Sequence, residues 1–262
     1  MTEDFSKYNG EGTILRKAQL RMLDILIEVD KICKKHNIPY WLDGGTLLGA
    51  VRHGGFIPWD DDLDISVMRK DYKRLRKALQ KELPQNLIFQ DETTEKYYIC
   101  KFGKVRDKNS KMVDPIWSDK VKELGVYIDI FPIERGTTQM KTFVDFFYGR
   151  AFRRIKHFND NKIERYIAYL MWPFSVFLVF CARIFSFLLP QNHLIYGYGV
   201  YNLGVYQLKK TDFFPLTSIL FEGIEFSSMA NPDGYLKELY GNYMEIPPKD
   251  KRRVHANKIE IW

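Results

Sequence analysis

The sequence predicts an α+β fold: a small mixed sheet backed by helices, with an additional helical, partly hydrophobic lobe. Three observations carry that reading. Short apolar runs alternate with amphipathic helical stretches through residues 13–135, two of those runs hold acids in an otherwise apolar setting, and from residue 138 the pattern turns helical and rich in Phe and Tyr.

Between residues 13 and 36, Leu15, Ala18, Met22, Ile25, Val29 and Ile32 recur at helical spacing with charged residues on the other faces, which predicts a long amphipathic helix. Asn37-Ile38-Pro39 stops it, and Tyr40-Trp41-Leu42 reads as a short buried strand running into the turn Asp43-Gly44-Gly45. Thr46 to Arg52 restarts as a short helix. A loop with Gly54, Gly55 and Pro58 ends in Asp60-Asp61-Asp62 and enters the alternating strand Leu63 to Met68. Helix is expected from about Lys70 to Leu83, and strand at Leu87 to Gln90, Tyr97 to Val105 and Val126 to Phe131. Residues 1–262 read as a single catalytic domain, with a core at 13–135, a helical lobe at 138–195 and a C-terminal part at 196–262 that completes it.

A chain of 262 residues with 45% hydrophobic and 28% charged content is globular, which excludes disordered, collagenous and coiled-coil readings. Forty Lys plus Arg against thirty-three Asp plus Glu leaves +7, a bias toward phosphate-bearing partners. That charge is not organised into a nucleic-acid reading motif, so no nucleic-acid partner is expected. Cys33, Cys100 and Cys181 lie far apart, as suits a reducing compartment. The first residues show neither an apolar leader core nor a small-residue cleavage site, so the catalytic part is expected in the cytoplasm.

Alternate side chains of a strand share a face, so Asp62 and Asp64 are expected to project together as a chelating pair with Leu63 and Ile65 behind them. Two carboxylates so close repel unless a cation lies between them, and a hard divalent ion such as Mg²⁺ or Mn²⁺ is the natural occupant. Asp129, in the apolar run Val126 to Phe131, supplies a third acid from a neighbouring strand. Upstream, Gly44-Gly45-Thr46 opens a helix where backbone N–H groups can approach a phosphate. Glycine turn, acid pair and third acid together describe metal-assisted phosphoryl or nucleotidyl transfer.

The run Trp41 to His53, WLDGGTLLGAVRH, followed by Gly55 to Ile65, GFIPWDDDLDI, closely resembles the signature of the LicD family. The likeness continues in Ile128 to Pro132, in Phe221-Glu222-Gly223, and in Leu239 to Met244 ahead of Pro247-Pro248. Asn242 departs from the acidic residue expected at its place. The resemblance implies a nucleotidyltransferase-like core, shared with the fukutin-related phosphotransferases. It also implies transfer of phosphocholine from CDP-choline, or a related CDP-alcohol, to a lipid-linked cell-envelope glycan such as a teichoic acid or capsule precursor. Carried over by position, Asp62, Asp64 and Asp129 are the metal ligands, and Asp60 and Asp61 are further ligands or supports for a second ion. Glycerol- or ribitol-phosphate transfer, nucleotidyl transfer from an NTP, and a non-catalytic membrane-surface module stand as alternatives.

Lys104 and Arg106 alternate on one strand face and, with Arg52, are candidates to neutralise the donor's phosphates. His53 reads as structural rather than as a general base. Asp129 is the better candidate to orient the incoming hydroxyl and accept its proton. Choline's diffuse charge calls for aromatic faces, and Trp59, Trp117, Tyr127 and Phe131 lie nearest in sequence. Tyr166 to Pro190 is mostly apolar but carries Pro173 and Arg183, which predicts an interfacial helical hairpin resting on anionic lipid at the inner face of the cell membrane rather than a span.

Overall fold

The computed structural model describes residues 4–113, 117, 120–156, 161–190, 192–200, 206–252, 254 and 256–262. After one turn, α1 (Ser6–Asn9), Thr13 starts the first long helix, α2 (Ile14–Lys35), its hydroxyl accepting the Arg16 N–H at 3.2 Å. The inner stripe of α2, including Ala18, Met22, Ile25, Leu26 and Val29, is fully buried. Then follow β1 (Tyr40–Leu42), α3 (Gly44–His53), β2 (Asp64–Met68), α4 (Arg69–Glu82) and β3 (Leu87–Gln90), each ending within two residues of its sequence expectation.

The next strand, β4 (Gly103–Asp107), starts later than the expected Tyr97. Residues 97–102 leave the sheet because Tyr98 is buried against Trp117, with ring centroids 5.1 Å apart, in a separate small cluster that includes Val121. A short strand, β5 (Ser110–Val113), precedes β6 (Tyr127–Arg135), which runs past the expected Phe131. The lobe is α5 (Thr138–Lys156) and α6 (Lys162–Ser186). The C-terminal part holds β7 (His193–Tyr196), β8 (Leu208–Lys209), α7 (Lys210–Phe213), β9 (Thr217–Phe221), β10 (Ile224–Ser228), α8 (Pro232–Tyr240) and β11 (Lys258–Ile261).

The main sheet has seven strands, β1-β2-β6-β4-β3, with β7 on the far half of β6 and β8 on β7. Among the described residues only β2 and β6 pair in parallel, so the sheet is mixed, and with α2 and α4 packed together against β6 the fold is α+β as expected. The shared core joins Met22, Ile25 and Val29 of α2 to Ile65, Val67, Ile128 and Ile130 of the central strands, each worth roughly 1.5–3 kcal/mol when fully buried. Glu222 and Gly223 take φ of 52° and 76°, the two positive values that a two-residue type I′ turn requires between β9 and β10. β11 returns to pair with β5.

Pro173 does not break the lobe's second helix: α6 is continuous over 25 residues. Proline removes a single N–H from the ladder, on the exposed side, while Ala168, Ser175, Val179, Ala182 and Ser186 pack the inner stripe. The hairpin is therefore α5 with α6, not two short helices within 166–190.

Candidate active site

Asp64 opens β2 and Asp129 lies third in β6, and the parallel register sets them opposite one another. Asp62 lies two residues ahead of Asp64, and the ladder with β6 reaches back to Leu63, whose carbonyl accepts the Asp129 N–H at 2.8 Å. Charge links Asp62 to Asp64. Burial first, then the neighbouring charges of Asp62 and Asp129, push the Asp64 carboxyl well above its usual range. Asp60 is raised in the same way, by burial and then by Asp62 and Asp61, and it shares a hydrogen bond with Asp62. Asp61 is buried and accepts the Ala256 N–H at 2.7 Å, which ties the C-terminal segment to the acidic loop.

The glycine pair faces these acids. A β-carbon on Gly44, whose φ is +49°, would stand 3.2 Å from Asp64 Oδ2, and one on Gly45 would stand 3.0 Å from Asp60 Oδ2. Glycine is thus needed here for carboxylates to approach the start of α3. Thr46 pins the same junction, its hydroxyl accepting the Asp64 N–H at 2.7 Å.

Asp43, which sequence reasoning left as a turn residue, is the N-cap of α3 and is buried. It accepts from Gly44 N–H at 2.9 Å, from the Tyr196 hydroxyl at 3.0 Å, and from the hydroxyls of Ser66 and Tyr235. Burial raises its carboxyl, and these donors oppose the rise. The readable signal was an acid at the end of a buried strand beside two glycines; Tyr196 and Tyr235, more than 150 residues away, gave none. Tyr240, in the Leu239-Tyr240-Gly241 stretch, also joins the site. Its hydroxyl lies 3.7 Å from the same Gly44 β-carbon position, and burial together with Asp64, Asp43, Asp60 and Asp62 holds its proton on.

Antiparallel pairing of β4 with β6 puts Lys104 opposite Asp129 and Arg106 opposite Tyr127. Lys104 Nζ donates to Asp129 Oδ1 and lies 3.5 Å from the Tyr127 ring centroid. Arg106 is fully buried, giving Nε–H to Gln90 Oε1 at 2.7 Å and an Nη1–H to the Gly125 carbonyl at 2.8 Å. Its Nη2 has no hydrogen-bond partner among the described residues. Arg52 turns instead to the C-terminal segment, donating to the Tyr243 carbonyl at 2.7 Å and to His53 Nε2 at 3.0 Å. Burial, followed by the Arg52 charge, lowers His53 to about 4, so the ring is neutral at pH 7. Phe221-Glu222-Gly223 holds the acidic loop's flank: Glu222 pairs with Arg16 at 2.6 Å and accepts the Phe56 N–H at 3.1 Å.

The four aromatics stand in three settings. Tyr127 and Trp117 carry Lys104 and Arg106 on their faces, Phe131 stacks with Phe102 at 4.5 Å inside the core, and Trp59 packs against Phe5, Tyr8 and Arg252. Among the described residues, no three acid, imidazole or thiol side chains close on one point as a metal cage. The donors fit a hard divalent ion in kind, because Asp60, Asp62, Asp64 and Asp129 offer oxygen atoms whose mutual repulsion such an ion relieves. In the present arrangement Lys104 supplies the positive charge at Asp129.

Residues 37–175 match the sequence profile of the family described as LicD/FKTN/FKRP, nucleotidyltransferase domain. The lipopolysaccharide cholinephosphotransferase LicD of Haemophilus influenzae is 28% identical over 261 residues, 92% of this chain and 95% of that protein. Human ribitol-5-phosphate transferase FKTN is 28% identical over 148 residues, 55% of this chain and 29% of its own. Human ribitol 5-phosphate transferase FKRP is 56% identical over 34 residues, 13% of this chain and 7% of its own. Fold, acids and relatives define the class: this is a phosphotransferase enzyme. Within that class, the chain belongs to the LicD family.

Proposed function

We propose that the protein transfers phosphocholine from CDP-choline to a sugar hydroxyl of a lipid-linked cell-envelope glycan, on a nucleotidyltransferase-like core. The observation that favours phosphocholine over ribitol phosphate is the near full-length likeness to a cholinephosphotransferase, against the partial likeness to the ribitol-phosphate relatives. The acceptor oxygen bonds to the choline-side phosphorus, the bridging P–O bond to CMP breaks, and the acceptor's proton passes to Asp129. Asp62, Asp64 and Asp129 would hold a Mg²⁺ or Mn²⁺ ion, with Asp60 and Asp61 as supports. Such an ion, when bound, offsets charge on the diphosphate and on the leaving CMP. Lys104, beside Asp129, would take a phosphate oxygen, while the fully buried Arg106 would support it from behind Tyr127, and the absence of side chains at Gly44 and Gly45 would let phosphates approach near Asp64 and Asp60.

Thermal unfolding with CDP-choline, CDP-glycerol, CDP-ribitol and CTP, each with and without Mg²⁺, tests this reading, because a ligand that binds only the folded state raises its stability. CDP-choline with Mg²⁺ is expected to give the largest shift, and Asp64→Asn to remove it along with at least a hundredfold of turnover. A larger shift with CDP-ribitol would reassign the donor. No shift with any nucleotide would overturn the reading.

A further inference from the structure

We infer that the outer face of α6 docks into one leaflet of an anionic bilayer. Helix α6 buries only a narrow stripe, Ala168, Ser175, Val179, Ala182 and Ser186, against α5 and the sheet edge. Around the rest of its circumference Val176, Tyr169, Phe177, Leu170, Ile167 and Met171 are all exposed. A second protein molecule covers one side of a helix. A helix apolar on nearly every side calls for a medium that surrounds it, and in water that medium is lipid.

The charges agree with that occupant. No charged side chain occurs between Arg165 and Arg183, a stretch of 17 residues (166–182). Helix α6 is long and apolar enough to cross a bilayer, but its inner stripe is buried against the lobe and Arg183 pairs with Glu134 of β6, so with the body attached it lies along the leaflet rather than across it. The two charged pairs at the base of the lobe are internal: Lys141 with Asp145, and Arg183 with Glu134. Further basic groups, Arg150, Arg153, Arg154, Lys156, Lys162 and Arg165, collect where α5 ends and α6 begins, and Glu164, the one acid in those two helix ends, pairs with Arg154. Between the helices at that end lies a cleft of about 370 Å³, walled by Phe146, Ile167 and Met171 and edged by Arg150 and by Arg154, which pairs with Glu164 at the same rim. Apolar walls that finish in a net positive rim suit an acyl chain below an anionic headgroup.

Both lobe helices touch the catalytic body. Lys156 donates to the Glu92 and Lys96 carbonyls at 3.1 and 3.3 Å, and Lys101 lies over the rings of Tyr148, Phe152 and Trp172 at 4.0–5.4 Å. Lys101 is three residues from Lys104, the partner of Asp129. Docking therefore holds the acidic site close to the membrane surface, where a lipid-linked acceptor presents its sugar. The docking stands apart from the chemistry proposed above, and only this use of it rests on that reading.

Flotation of the full-length protein with vesicles tests the inference, using phosphatidylcholine alone and phosphatidylcholine with about one third phosphatidylglycerol. The wild type should float with the anionic vesicles and release at high salt. Arg150→Gln with Arg153→Gln should weaken that binding about twenty-five-fold, at roughly fivefold per charge removed. Phe177→Ser with Phe180→Ser, both at exposed positions, should abolish it while the melting temperature and any nucleotide-induced shift stay as in the wild type. Flotation failure of the wild type, or wild-type binding by the Phe177→Ser, Phe180→Ser protein, overturns the inference. A wild-type dimer in sedimentation that becomes a monomer in the same double variant, without vesicle binding, would assign the face to a second copy. Binding without any nucleotide shift would leave the surface standing and remove the donor assignment alone.

Discussion

Asp64 is a residue whose charge opposes the fold that holds it. It sits buried at the head of β2, with Asp129 beside it in register and Asp62 and Asp60 close enough to raise its carboxyl. A carboxyl raised in the folded state above its unfolded value contributes stability at low pH and loses it as the pH climbs through the raised value. Asp64→Asn removes that titration. Without divalent metal, the variant should therefore melt higher than the wild type at pH 8 and about level with it near pH 4. Each 1 kcal/mol of relief appears as about 2–4 °C in a chain of this size. Mg²⁺ should stabilise the wild type more at pH 8 than at pH 5, because protonated carboxyls do not bind it, and should leave Asp64→Asn unmoved. Equal melting of the two proteins at pH 8 in chelator would mean that Lys104 already neutralises the cluster.

Among the elements, the β9–β10 hairpin acts on the site from a distance. Its turn residue Glu222 lies 166 positions from Phe56 in sequence, yet it accepts the Phe56 N–H and pairs with Arg16 through both carboxylate oxygens. Burial would raise Glu222, but Arg16 and the Phe56 N–H hold it below the usual range. Glu222→Ala leaves a half-buried guanidinium and a buried N–H unpaired, a loss of about 2–3 kcal/mol. Freeing residues 54–56 loosens the loop that ends in Asp60, so metal-dependent nucleotide binding should weaken beyond what the lower melting point explains. Titration well below the melting range separates the two effects. The elements from α2 to β3 were legible in the sequence because local periods of 3.6 and 2, with Gly and Pro at the junctions, determine them. Asp64 and Asp129 were legible as acids in apolar runs. The C-terminal strands were not, since β7, β8 and β11 are short edge additions whose pairing depends on partners far along the chain. The Asp43 cap was hidden for the same reason: its donors Tyr196 and Tyr235 are brought in by topology, not by spacing.

At the scale of the whole molecule, the question is how firmly the lobe is joined to the catalytic sheet. An apolar run at 166–190 was evident from composition, but which of its faces the body covers depends on a few polar contacts that only the fold reveals. Glu134, near the end of β6, gathers most of them. It accepts from Arg183 of α6 at 2.7 and 3.1 Å and from the Tyr198 N–H at 3.1 Å, and it pairs with Arg69 at the start of α4 at 3.1 Å. One buried carboxylate thus ties the outer helix, the segment after β7 and a helix of the core together. The apolar cluster at the same junction is small, namely Val144, Val179, Ala182, Ile195 and Tyr198, so it cannot replace the charge contacts. Glu134→Gln keeps the shape and removes the charge that two arginines share, for a loss of about 1–3 kcal/mol. Because Lys141 still holds Asp145 and the carbonyls of Gly197 and Val200, the lobe should loosen rather than detach. Hydrogen exchange is the decisive measurement. Amides of α6 and the C-terminal half of α5 should exchange about tenfold or more faster in Glu134→Gln, while β2 and β6 keep their wild-type protection. Acceleration spread evenly over lobe and sheet would instead show that the two unfold as one cooperative unit, with Glu134 contributing to overall stability and not to a separable joint.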